Sequence, residues 1–140
     1  AMAAWTRFGG ACLVVDFGTA LTFTAVDSTG SIVGVSIAPG LGTAAGSLSK
    51  ATAQLPSVPL EAPASAMGRN TVEAIQAGVV LGYTGLVEYL VGRIKKELGG
   101  AKVVATGGLC RVLSDLTDVF DAIDPDLTLG GLAGMERYLF

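Results

Sequence analysis

The chain has 140 residues and a net charge of −3, from 9 basic and 12 acidic side chains; 51% of it is hydrophobic and only 15% charged. That is one domain's length with enough apolar chain for a core, too apolar for disorder, and without the basic run that a nucleic-acid partner would require. The absence of histidine excludes Ser-His-Asp and Cys-His catalysis and the common zinc sites.

Ala11-Cys12-Leu13-Val14-Val15 is a short apolar run of the kind a buried strand uses, and it ends at the turn-forming Asp16-Phe17-Gly18-Thr19. Leu21 to Val26 alternates and predicts a second strand. Asp27-Ser28-Thr29-Gly30 is a turn, and Ser31 to Ala38 a third strand, so the three form an antiparallel meander. Pro39-Gly40 breaks the strand, and a helix of small residues follows to about residue 53. Residues 54–69, with Pro56, Pro59 and Pro63, form a loop. Asn70-Thr71-Val72-Glu73 has the form of a capping box. The helix it opens runs to Leu98, with Val72, Ile75, Val79, Leu86, Leu90 and Ile94 on one stripe. Gly78, Gly82 and Gly85 weaken this helix by about 1 kcal/mol each relative to alanine, unless another backbone packs close. Lys102 to Ala105 is a fourth strand running into Thr106-Gly107-Gly108. A short helix, the loop Asp124-Pro125-Asp126 and a terminal helix over 129–139 complete a βββ-α-α-β-α-α order.

Cys12 and Cys110 lie in apolar surroundings without CxxC spacing, as buried reduced thiols of a cytoplasmic protein do. No uninterrupted apolar run reaches the roughly 18 residues of a membrane span, and the start lacks a signal-peptide layout. Two constellations have chemical content. Asp16-Phe17-Gly18-Thr19 places a carboxylate beside a glycine at a strand end, which suits a cation and phosphate site; the same tetrapeptide also serves as a plain hairpin turn. Thr106-Gly107-Gly108 allows a nucleotide to lie against the backbone at a strand-to-helix junction, or is an ordinary turn. A hairpin DxGT followed far downstream by a strand ending in TGG is the layout of the second domain of the actin-like, sugar-kinase and Hsp70 ATPase superfamily. The fold class this layout implies is a ribonuclease H-like α/β domain: a three-stranded antiparallel meander plus a further strand, packed with helices.

Within that superfamily the chain resembles the type III pantothenate kinases. Val14-Val15-Asp16-Phe17-Gly18-Thr19-Ala20-Leu21-Thr22-Phe23 is similar to the family's VDFGTATTF, and Ile37-Ala38-Pro39-Gly40-Leu41 to its IxPGL. Thr52-Ala53-Gln54-Leu55-Pro56 resembles TAxLP, Gly68-Arg69-Asn70-Thr71 resembles GxNT, Thr106-Gly107-Gly108 matches TGG, and Asp124 to Leu129 resembles the DPxLTL segment. The resemblance implies ATP-dependent phosphorylation of pantothenate, the first step toward coenzyme A, with magnesium and a monovalent cation, potassium or ammonium. It implies that Asp16 holds that cation and that Gly18 and Thr19 face the ATP phosphates. Gly40 would line the nucleotide side, and Thr106, Gly107 and Gly108 would flank the adenosine. Thr71 would reach pantothenate bound to the other subunit of a homodimer.

The family's DxGNT phosphate loop and its G-x-D-R motif, which carries the general base and a substrate-binding arginine, have no counterpart here; Val35 and Thr24 are smaller departures. Residues 1–140 are therefore expected to be the C-terminal domain, with the general base upstream of residue 1, the N-terminal domain absent, and no activity in isolation. The alternative carried by the same family is a non-catalytic accessory or regulatory protein.

Overall fold

The computed structural model describes residues 1–52 and 54–128; the helix expected over 129–139 lies outside them. A helix α1 (Met2–Phe8) precedes the meander β1 (Cys12–Phe17), β2 (Ala20–Val26) and β3 (Ile32–Pro39). Then come α2 (Leu41–Ala51) and a continuous helical run made of α3 (Thr71–Gln76), a π-helical segment (Ala77–Leu81) and α4 (Gly82–Glu97). Strand β4 (Lys102–Thr106), the short helix α5 (Cys110–Ser114) and a strand β5 (Ala122–Ile123) follow. The sheet order is β3-β2-β1-β4-β5, with β1 antiparallel to β2 and parallel to β4, and β4 parallel to β5. It is a mixed five-stranded α/β sheet. The fifth strand escaped the sequence reading because two residues carry no readable period.

Strand alternation divides the core in two. Leu13, Val15 and Phe17 of β1, Leu21 and Phe23 of β2, and Val103 and Ala105 of β4 pack with Val87 and Val91 of α4, Leu41, Cys110 and Leu113. Cys12, Val14, Val26 and Val104 face the other way, toward Ala4 of α1 and Leu127. Helix α1 is pinned at three points. Its Ala4 is fully buried, the Trp5 indole donates to the Ser28 carbonyl at 3.3 Å, and Arg7 bridges to Asp124 at 3.0 Å. Trp5 lies over Gly30, whose φ of +88° is a turn conformation and whose missing Cβ would stand 3.1 Å from the ring. The rest of that turn hangs on the Asp27 carboxylate, which accepts from the Thr29 and Ser31 amides and the Thr29 hydroxyl. Those bonds, the Thr29 hydroxyl foremost, hold the Asp27 carboxyl below its ordinary range.

The long helix differs from expectation in a way that its geometry explains. The Asn70 half of the capping box forms as read, accepting from the Glu73 amide at 2.9 Å, while Glu73 reaches back one residue past the cap, to the Arg69 amide at 2.8 Å. The π segment then inserts one extra residue into the turn. A uniform 100° step from Ile75 would bury Leu86 and Leu90; with the insertion the face moves on by one, and Val87 and Val91 are the buried pair. Leu86, Leu90 and Ile94 flank them, half-buried. The Thr84 hydroxyl takes up the Val80 carbonyl at 2.9 Å. By length and composition Thr71–Glu97 would also cross a bilayer, but Val80, Val87 and Val91 are buried inside the domain. No backbone approaches Gly78, Gly82 or Gly85 among the described residues: a Cβ at each would meet nothing within 4 Å.

Candidate functional site

β1 and β4 are parallel neighbours, so their carboxyl ends lie side by side, and the chain leaves them in opposite directions, toward β2 and toward β5. In open α/β sheets that divergence opens a crevice for ligands. Asp16 pairs with Thr106 there. Asp16 lies inside β1, which runs two residues past Val15 and takes Asp16 and Phe17 out of the expected turn.

The sequence candidates gather around this carboxylate. Gly107 has φ +93°, and a Cβ on it would stand 2.7 Å from Asp16 Oδ1 and 2.7 Å from the Phe17 carbonyl, so only glycine lets the β4 exit close on Asp16. Gly18 and Thr19 form the exposed turn between β1 and β2. A Cβ on Gly18 would meet only ordinary contacts, 3.5 Å to the Ala20 carbonyl and 3.7 Å to Asp16 Oδ1. Gly40 is buried as the N-cap of α2. Its Cβ would fall 2.3 Å from the Gly18 carbonyl oxygen and 2.5 Å from that of Thr19, so its glycine serves the packing of α2 on the turn. Thr106 is buried, its hydroxyl donating to the Pro125 carbonyl at 3.4 Å, while Gly108 is exposed with open space around it.

Among the described residues Asp16 has no side-chain hydrogen bond or ion pair, and no group of three His, Cys, Asp or Glu side chains comes together to hold a metal.

Two residues that sequence reasoning missed tie this corner together. The Thr43 hydroxyl donates to the Thr19 carbonyl at 2.9 Å, beside the Gly40 amide, which donates to the same oxygen at 2.9 Å. The Tyr83 hydroxyl donates to the Pro39 carbonyl at 2.6 Å, and burial pushes its pKa up. Neither sits in a recognisable motif; each contact joins residues 24 and 44 apart.

Thr71 stands elsewhere, exposed at the first turn of α3. It lines a groove of about 430 Å³ with Leu48, Leu55, Ile75, Gly78 and Val79, and its hydroxyl makes no hydrogen bond among the described residues. Gly68, just before it, is fixed sterically, since a Cβ would lie 2.2 Å from the Ala74 nitrogen. Cys12 and Cys110 are free and buried, and desolvation raises both thiol pKa values.

These features define a mixed α/β domain with a carboxylate and glycine turns gathered at the carboxyl end of its sheet. The family model described as type III pantothenate kinase matches residues 1–93. A type III pantothenate kinase of Treponema pallidum is 54% identical over 138 residues, covering 98% of this chain and 50% of the relative; that of Thermus thermophilus is 50% identical over 123 residues, covering 88% and 49%. This chain belongs to the type III pantothenate kinase family. It spans about half the length of the curated relatives it matches. A crystal structure of a conserved Baf family transcriptional activator from Campylobacter jejuni shares the fold, with a TM-score of 0.65 at 24% identity, over 97% of this chain and 61% of that one.

Proposed function

We propose that this chain is the C-terminal domain of a type III pantothenate kinase, which phosphorylates the pantothenate hydroxyl with ATP in the cytoplasm. The observation that carries the reading is the Asp16 corner: in a member of this family, the one β1 carboxylate lies against Gly107 and the Gly18–Thr19 turn at the ends of two parallel strands. The meander followed by parallel strands, in the order β3-β2-β1-β4-β5, supports an actin-like, ribonuclease H-like fold.

In this reading Asp16 holds potassium or ammonium beside the phosphates, and magnesium arrives with ATP. The Gly18 and Thr19 amides and the Thr19 hydroxyl face phosphate oxygens. Thr106, Gly107 and Gly108 flank the adenosine, and Gly40 shapes that wall by letting α2 pack on the turn. Thr71 presents its hydroxyl to pantothenate held by a second copy. The exposed groove at Thr71, and helix glycines that no other described residue approaches, support a homodimer, and light scattering tests it; a monodisperse monomer at high concentration refutes the role of Thr71.

Phosphoryl transfer requires the nucleotide to be clamped from both sides, and this domain supplies one wall. In this reading the general base and first phosphate loop come from the family's N-terminal half. Lack of the base alone costs about 10²–10⁴ in rate. A phosphorylation assay with magnesium, ATP and ammonium should give product only when residues 1–140 are mixed with a separately expressed N-terminal half. Turnover by residues 1–140 alone would overturn this division of roles. Absence of ATP binding in potassium would overturn the nucleotide site itself.

A further inference from the structure

We infer that Thr43 is a positioning residue for the phosphate-facing turn. The inference rests on the nucleotide reading above. The Gly18–Thr19 turn is exposed, and its own small side chains bury nothing that would fix its orientation. The Thr19 carbonyl accepts two hydrogen bonds from the start of α2: from the Gly40 amide and from the Thr43 hydroxyl, each at 2.9 Å. A carbonyl held from two directions fixes its peptide plane. That peptide joins Thr19 to Ala20, so the Ala20 N–H is aimed away from the Thr19 carbonyl and the Thr19 backbone is held on the side where a phosphate is to be met. The start of α2 is in turn held by the close packing of Gly40 on the turn and by Tyr83, whose hydroxyl grips the Pro39 carbonyl at 2.6 Å. Thr43 therefore acts on the nucleotide through Thr19.

The test uses residues 1–140 with two variants, Thr43→Val, which keeps the shape and loses the donor, and Thr43→Ser, which keeps the donor. Calorimetric titration with magnesium ATP and with adenosine is paired with amide NMR spectra of the nucleotide-free protein. Thr43→Val should weaken ATP roughly three- to tenfold, the range one lost hydrogen bond spans. It should leave adenosine affinity unchanged and shift or broaden the Gly18, Thr19 and Ala20 amides. Thr43→Ser should restore both readouts. Equal ATP affinity in Thr43→Val overturns the inference. So does weakened ATP with those amides unmoved, because Thr43 would then touch the phosphate itself. If the wild-type chain binds no ATP, the nucleotide reading has failed and the role of Thr43 falls with it, an outcome distinct from the other two.

Discussion

Gly18 and Gly107 flank the same carboxylate, and replacing each by alanine separates what the fold needs from what a ligand needs. A Cβ at Gly18 meets the Ala20 carbonyl at 3.5 Å and Asp16 Oδ1 at 3.7 Å, both ordinary contacts, and its φ is not positive. Gly18→Ala should therefore leave stability unchanged or raise it by about 0.4–1 kcal/mol through the unfolded chain. At Gly107 the φ of +93° and approaches of 2.7 Å to Asp16 Oδ1 and to the Phe17 carbonyl combine backbone strain of about 1–3 kcal/mol with overpacking of similar size. At roughly 3–4 °C per kcal/mol for a chain of this length, Gly107→Ala should lower the melting midpoint by roughly 6–20 °C, and Gly18→Ala should not lower it. Magnesium ATP titration supplies the second axis. The added methyl of Gly18→Ala stands where a phosphate oxygen would approach the turn, so affinity should fall at least about tenfold in a fully folded protein. Gly18→Ala that binds ATP like wild type refutes the phosphate role of the turn. Gly18→Ala that melts more than about 5 °C early refutes the steric account.

Asp16→Asn should abolish the rise of ATP affinity with potassium or ammonium while the protein still folds, read by titration across salts; an unchanged salt response would remove Asp16 from the cation site. Asn70→Ala removes the acceptor for the Glu73 amide and should cost about 1 kcal/mol in chemical denaturation. Cys12, Cys110 and Tyr83 all have raised pKa values in the fold, with burial the leading cause. Burial favours their neutral forms, so the stability they contribute is present below the ordinary thiol pKa of about 8.5 and is lost as pH rises through and beyond it. Denaturation midpoints at pH 7 and pH 10 check the sign, and a midpoint that rises would contradict it.

The meander, the capping box and the fourth strand were legible because each has a local cause: alternation, an Asx-to-glutamate spacing, an apolar run ended by glycine. The members of the candidate site were legible as a list of residues, since Asp16, Gly18, Thr19 and Gly107 sit in short motifs. Its support was not. Thr43 and Tyr83 act across 24 and 44 residues, and no local pattern announces a hydroxyl aimed at a distant carbonyl. Neither was the buried face of α4. Val79 and Val80 both turn inward through the π segment, and a stripe extended at constant pitch then misses Val87 and Val91 by one residue. At Gly40 the sequence offered a nucleotide-lining glycine or a turn, and the structure adds a steric reason that neither announced: its Cα is packed under the Gly18 and Thr19 carbonyls.

The position of Asp16 follows from the core. Along β1 the period of two sends Leu13, Val15 and Phe17 to the α4 face and Cys12, Val14 and Asp16 to the α1 face. Parallel pairing then sets Asp16 beside Thr106, with Gly107 closing over it. A slip of one residue would send Phe17, 1% exposed and edge-on to Phe120 with ring centroids 6.0 Å apart, to the α1 face, and turn the carboxylate into the apolar cluster under α4. The burial of Phe17, worth about 3–5 kcal/mol against alanine, therefore fixes the register that aims Asp16. Phe17→Ala should accordingly disturb cation-dependent nucleotide binding as well as stability, although its side chain points away from the site. A Phe17→Leu substitution, which keeps an apolar anchor at the same place, should lose much less of both.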